Sequence, residues 1–157
     1  MKTLVLGGYG NFGARICRAL AGDPAVELMV GGRDDSRARA LADALGSGAR
    51  GIAIDWAASN FAEVLRRLGV ELLIHAAGPF QGQDYRVAQA AARVGAHYID
   101  LADGRRFVCD FPSALDADFR SAGRTAISGA STVPALSSAV VKQLARGWRS
   151  VHHISTC

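Results

Sequence analysis

No stretch of this chain is a long apolar run. None reaches the roughly 18 residues that a membrane-crossing helix requires, and Lys2 is followed at once by an apolar strand pattern rather than by the apolar region and cleavage site of a signal peptide. A cytoplasmic location is the expectation, with no membrane partner. Cysteine is scarce: Cys17, Cys109 and Cys157 are three, odd in number and far apart. They show no metal-ligand spacing and no disulfide framework, and are expected to be buried or incidental thiols. Aromatic residues make up only 7%, so the core must be built mainly from alanine, valine and leucine. The net charge is +4, yet no basic run is longer than Arg66-Arg67 or Arg105-Arg106. Arginines scattered over the chain do not form the stripe that nucleic acid requires, and no nucleic-acid partner is expected.

What is present is a half-apolar chain of 157 residues, one domain's worth and long enough to bury a core. The most informative stretch is residues 2–33. Thr3–Leu6 is a short apolar run of the kind found in strands buried on both faces. Gly8-x-Gly10-x-x-Gly13 follows and opens into Ala14, Ile16, Cys17, Ala19 and Leu20, apolar at helical spacing. Val26–Val30 is a second apolar run. Strand, glycine turn, helix and strand within about 30 residues are the span of a dinucleotide-binding βαβ unit. Gly8 would let the chain leave the strand tightly, Gly10 would leave room for a pyrophosphate, and Gly13 would let the helix lie close. Backbone amides near Asn11 and Phe12, at the positive end of the helix, would donate to the diphosphate.

The second strand ends in Gly31-Gly32-Arg33. An NAD-binding unit usually carries an acidic residue there for the ribose hydroxyls. Two small residues followed by a guanidinium suit a 2′-phosphate instead, so NADP is the expected cofactor and NAD the weaker candidate. The alternative is a solvated arginine, with Asp34 and Asp35 partly neutralising it or capping the next helix.

The rest of the chain alternates in the same way. Helices are expected over 36–45, 60–68 (Asn60 and Glu63 having capping-box spacing), 84–94, 112–122 (Pro112 in the first turn) and 134–146. Strands are expected over 50–54, 71–75, 97–101 and 124–128. Asp55, at the end of the third strand, would lie near the adenine. The small residues Ala76, Ala77, Gly78 and Pro79 after the fourth strand would let the nicotinamide side approach the backbone, unless they are an ordinary loop. His75 reads as a core or strand-end histidine. Asp100, Asp103 and Arg105 are either site residues or helix caps. The expected fold is α/β, a Rossmann-type doubly wound, mainly parallel sheet of six or more strands in the order 3-2-1-4-5-6, with helices on both faces. Val151–Ser155 reads as the start of a seventh strand.

The residues also resemble a known family. Gly7–Gly13, Ala76–Phe80 with Tyr85, Gly95–Leu101, and Gly129–Ser131 with Pro134–Ser137 are similar to the signatures of the NADP-binding N-terminal domain of saccharopine dehydrogenase-like oxidoreductases. The resemblance runs from Met1 to about Arg146 and implies hydride transfer between NADP(H) and a small-molecule substrate that it does not identify. It also implies a second, C-terminal domain that supplies much of the substrate pocket. On that reading residues 1–147 are the dinucleotide-binding domain. Residues 148–157 begin a further domain or form a last strand, and the chain is either a piece cut from a longer protein or a naturally short relative. Apolar surface left bare where a second domain belongs could pair the isolated chain as a homodimer.

No catalytic acid or base is assigned. The Tyr-x-x-x-Lys pair of short-chain dehydrogenases is absent, because Tyr9, Tyr85 and Tyr98 have no lysine four residues on and Lys2 and Lys142 are the only lysines. Cys109 as a nucleophile lacks a neighbouring base in sequence. The rival to an oxidoreductase is a module that senses a dinucleotide without turnover.

Overall fold

The structure is a computed structural model that describes residues 1–155. Strands β1 (Lys2–Leu6), β2 (Glu27–Gly32), β3 (Arg50–Ala53), β4 (Leu72–His75), β5 (His97–Asp100) and β6 (Ala126–Ile127) form one sheet in the order β3-β2-β1-β4-β5-β6. Every pairing is parallel. The apolar runs at its centre are buried on both faces, as all-parallel sheets require. Leu4, Leu6, Met29, Leu73 and Tyr98 face α3 (Phe61–Leu68), α4 (Arg86–Val94) and α5 (Arg105–Ser121). Val5, Val30 and Ile74 face α1 (Asn11–Leu20) and α2 (Asp35–Leu45), meeting Cys17, Ala38 and Ala42. Helices therefore cover both faces. Register sets the functional edge: Leu6 lies opposite Gly31 on one side and His75 on the other, and His75 lies opposite Asp100. The carboxyl ends of β2, β1, β4 and β5 are thus level, at the point where strand order reverses.

Glycines end the helices where the reading placed them. Gly69 (φ 65°) and Gly95 (φ 71°) are left-handed caps of α3 and α4. Four expectations differ from the structure. α5 begins at Arg105, not Pro112, and runs through the proline. The buried stripe Phe107, Phe111, Leu115 and Phe119 drives it, and burying four aromatic and aliphatic side chains outweighs the loss of one amide donor. Asn60 makes no capping hydrogen bond to α3, and Glu63 pairs with Arg66 instead. After β6, an irregular turn over 132–136 precedes α6 (Ser137–Leu144), so helix starts later than Pro134. Residues 151–155, read as the start of a strand, are irregular, and Thr156 and Cys157 lie outside the described residues. Among the described residues no helix is long and apolar enough to cross a membrane.

Candidate functional site

The β1–α1 turn is shaped by what its glycines exclude. Gly7 carries the left-handed conformation (φ 77°), and both its N–H and that of Gly8 donate to the Gly31 carbonyl at 2.9 Å, tying the turn to the end of β2. A Cβ on Gly8 would stand 2.8 Å from the Val5 carbonyl, and one on Gly13 would stand 2.1 Å from the Gly7 carbonyl. Gly13 therefore lets α1 start against the turn itself. At Gly10 a Cβ would meet only the Gly7 carbonyl, at 3.2 Å, so its bare side faces open space. Gly10 heads α1 with no side-chain cap, and the helix's first internal amide bond is Ala14 N–H to the Gly10 carbonyl. Among the described residues the amides of Asn11, Phe12 and Gly13 have no hydrogen-bond partner, as at the start of any helix, and they stand at its positive end. Cys17 steadies the turn from behind. Its thiol donates to the Gly8 carbonyl at 3.6 Å, and burial pushes its pKa up to about 11.

At the end of β2 the space over Gly32 is filled. A Cβ there would lie 2.3 Å from the Tyr9 ring, so the glycine that was expected to leave room for a ligand instead seats a tyrosine. The Tyr9 hydroxyl accepts from the Asp34 amide at 2.9 Å, and the Arg37 guanidinium lies over the ring, 4.6 Å from its centroid. Asp34 caps α2, accepting from Ser36 Oγ at 2.6 Å and from the Arg37 amide at 3.1 Å, and these bonds hold its carboxyl below the ordinary range. Asp35 pairs with Arg39 at 2.8 Å. Both carboxylates are thereby occupied, and among the described residues neither Arg33 nor Arg37 has an ion-pair partner.

The opposite wall is the Ala76–Phe80 loop after β4. Ala76 N–H donates to the Leu6 carbonyl at 2.8 Å, continuing the β1–β4 ladder by one residue. Between the two walls lies a cleft of about 370 Å³ lined by Gly7, Tyr9, Gly10, Gly32, Arg33, Asp55, Trp56, Ala76, Ala77 and Gly78, among others. Of the residues singled out in the sequence, Gly10, Arg33, Asp55, Ala77 and Gly78 line this cleft. Asn11 and Phe12 open α1 beside it, with Phe12 exposed, while Gly8, Gly13 and Pro79 are not in its lining. Asp55 Oδ1 accepts from the Ala57 amide at 3.0 Å, which folds its own turn.

Behind the loop, His75 and Asp100 are fully buried neighbours at the ends of β4 and β5. Asp100 Oδ1 accepts from the amides of Ala102 (3.0 Å) and Gly129 (2.8 Å) and from Ser128 Oγ (3.0 Å). That settles Asp100 as a brace between loops. Asp103 accepts from Gln81 Nε2 at 3.0 Å, and Arg105 opens α5. Among the described residues no cluster of three His, Cys, Asp or Glu side chains could hold a metal ion.

Residues 3–127 match the family described as the saccharopine dehydrogenase NADP-binding domain, most of the chain. The chain belongs to that family. A comparison with curated proteins returned no match. Among solved structures, apo saccharopine dehydrogenase (L-Glu forming) from Saccharomyces cerevisiae is similar over 92% of this chain and 31% of its own, with TM-score 0.72 and 19% identity. This saccharopine dehydrogenase-type domain thus spans about a third of the yeast enzyme's length. GenD2 from gentamicin A biosynthesis, in complex with NAD, is similar over 94% of this chain and 39% of its own (TM-score 0.63, 23% identity). The 3-hydroxyacyl-CoA dehydrogenase type-2 from Mycobacterium avium covers 81% of this chain and 71% of its own (TM-score 0.65, 17% identity). These likenesses are of fold.

Three residues lining the saccharopine dehydrogenase-type cleft, and one beside it, carried no assignment from the sequence. Gly7 stands just before the Gly8-x-Gly10-x-x-Gly13 motif and Tyr9 at its first x position, and neither carried an assignment. Trp56 follows Asp55 and lines the same cleft. Arg37 is placed by the ring of Tyr9, 28 residues away in sequence and so invisible to local spacing.

Proposed function

We propose that this chain is the NADP-binding part of an oxidoreductase, holding the dinucleotide for hydride transfer to or from a small substrate. The single observation that carries the cofactor choice is the Arg33 guanidinium lining the cleft at the end of β2, with Arg37 of α2 over the Tyr9 ring that also lines it, neither of them ion-paired among the described residues. Planar guanidinium donors suit a 2′-phosphate dianion, and the two carboxylates that follow this strand, Asp34 and Asp35, are already engaged in capping and in an ion pair. The residues fit the rest of the dinucleotide. Gly10 presents a side that a Cβ would fill, and the free amides of Asn11, Phe12 and Gly13 suit a diphosphate. When bound, NADP supplies the hydride chemistry. The chain's own residues bind it: the glycine turn takes the diphosphate, Arg33 and Arg37 take the 2′-phosphate, Asp55 and Trp56 flank the adenine side, and Ala77, Gly78 and Pro79 face the nicotinamide side.

The second reading, a dinucleotide sensor without turnover, draws on one feature. The titratable side chains of the cleft, Tyr9, Arg33 and Asp55, stand on its β2–β3 side, and none stands on the β4 side where a reacting carbon would lie. A further part of the protein would have to supply the acid or base. Turnover by the full-length protein with a panel of amino and keto acids separates the two readings.

The cofactor assignment is tested by titrating the chain with NADPH and with NADH, beside Arg33→Ala and Arg37→Ala. Each variant is expected to weaken NADPH by roughly 10- to 150-fold, about 1.5–3 kcal/mol, with NADH nearly unmoved. Equal affinity of the wild type for both nucleotides would overturn the choice of NADP.

A further inference from the structure

Gln83 lies between the Ala76–Phe80 loop and α4, and its side-chain amide makes three hydrogen bonds. Nε2 donates to the Ala77 carbonyl at 3.0 Å and to the Pro79 carbonyl at 2.7 Å, while Oε1 lies 3.1 Å from His75 Nε2. The chemistry admits one arrangement. Carbonyls only accept, so the Gln83 NH2 must face the loop and its oxygen must face the histidine. His75 Nε2 must then carry the proton. His75 is itself fixed, 1% exposed at the end of β4, with the Phe80 ring edge-on at a centroid distance of 5.0 Å. A buried strand-end imidazole thus orients one amide, and that amide clamps two carbonyls of the cofactor-side loop, those of Ala77 and Pro79 on either side of Gly78.

We propose that His75 and Gln83 are positioning residues that hold the Ala76–Phe80 loop in the shape that receives the nicotinamide half of the dinucleotide. This rests on the dinucleotide reading above. Ala76, Ala77 and Gly78 line the cleft and have no side chains long enough to anchor themselves. Their placement depends on the backbone, which Gln83 holds at the Ala77 carbonyl and, just beyond Gly78, at the Pro79 carbonyl. The hydrogen bonds of Gln83 reach only this wall and His75, whose ring alone extends toward Trp56 (centroids 6.5 Å apart) and is unchanged in a Gln83 variant. The arginine side of the cleft is built from the β1–α1 turn and the end of β2, so loosening the loop should leave the adenosine half untouched.

The test uses Gln83→Leu, which keeps the bulk and removes all three bonds. It also uses Gln83→Glu, which can still accept from His75 but cannot donate to the carbonyls. Two measurements are made on the whole chain: amide hydrogen exchange without nucleotide, and affinity for NADPH beside 2′,5′-ADP, which lacks the nicotinamide half. Both variants are expected to speed exchange in residues 76–83 and to weaken NADPH by roughly tenfold, leaving 2′,5′-ADP unchanged. Unaltered exchange in that loop would overturn the clamp. Equal losses of NADPH and 2′,5′-ADP would also overturn it, showing that the bonds serve the fold at large. A wild type that binds 2′,5′-ADP and NADPH equally well would show no nicotinamide contact for the loop to shape. A wild type that binds neither overturns the dinucleotide reading itself, and this inference with it.

Discussion

Gly10 and Gly13 stand in one turn, yet a methyl group would act differently at each. At Gly13 it would be driven to 2.1 Å from the Gly7 carbonyl, a backbone atom that cannot move without opening the junction between β1 and α1. At Gly10 it would meet the same carbonyl at 3.2 Å, in a backbone conformation (φ −76°, ψ 174°) that alanine adopts freely, and would otherwise project into the open side of the cleft. Gly13→Ala is therefore expected to destabilise the fold by about 3 kcal/mol. Gly10→Ala should cost under about 1 kcal/mol of stability while weakening NADPH at least roughly tenfold, because the methyl occupies the diphosphate's approach. Urea unfolding and nucleotide titration on both variants check the contrast. Gly10→Ala with undiminished NADPH affinity would remove the diphosphate from this turn.

At the scale of elements, the weak point is the sheet's last strand. β6 is two residues long and pairs only with β5, so backbone bonds alone hold it poorly. Asp100 reinforces it by reaching from the end of β5 to the Gly129 amide and the Ser128 hydroxyl beyond β6, while also closing its own turn on Ala102. Asp100→Ala leaves buried donors without an acceptor and is expected to cost roughly 2–4 kcal/mol, whereas Ser128→Ala, which removes one of the three donors, should cost about 1 kcal/mol. Chemical denaturation of the two variants tests this, and similar small losses would show that Asp100 is dispensable as a brace. Such braces mark the limit of what the sequence conveys. The strand order, both faces of the sheet and the glycine turn were legible because apolar periodicity and glycine spacing are local signals. The start of α5 was not, because a proline in its middle imitated a first turn and the burial of Phe107 and Phe111 overrode it. Nor were Tyr9 over Gly32, or Gln83 beneath the loop, legible: each depends on which side chains the completed sheet brings together. Asp100 was visible as a polar residue at a strand mouth, but its two roles, site or support, could be separated only by its hydrogen-bond partners.

For the molecule as a whole, the buried end of β4 ties stability to pH. Burial disfavours the charged imidazole of His75 and lowers its pKa from the ordinary value of about 6.5, with the hydrogen bond to Gln83 and the nearby Asp100 opposing the shift without reversing it. Tyr98, also buried beside them, has its hydroxyl pKa raised well above normal by desolvation first and by Asp100 second, so it stays neutral across this range. The sign follows from proton linkage. Above about pH 7 His75 is neutral in both the folded and unfolded chains and contributes no pH dependence. As pH falls through about 6.5 the unfolded chain takes up a proton that the folded chain refuses, so stability declines, by at most about 1.4 kcal/mol per pH unit for one such group. The same protonation would add a charge where Gln83 and Phe80 pack, so the loss concentrates at the wall of the cleft that the loop forms. His75→Gln keeps an amide donor for Gln83 and does not titrate. Urea unfolding of wild type and variant between about pH 5 and about pH 8 should show the two curves running parallel above neutrality and the wild type falling more steeply below it. Equal slopes at low pH would mean that His75 is as easily protonated in the folded protein as in the unfolded chain, and that the sheet's interior at this point is open to water.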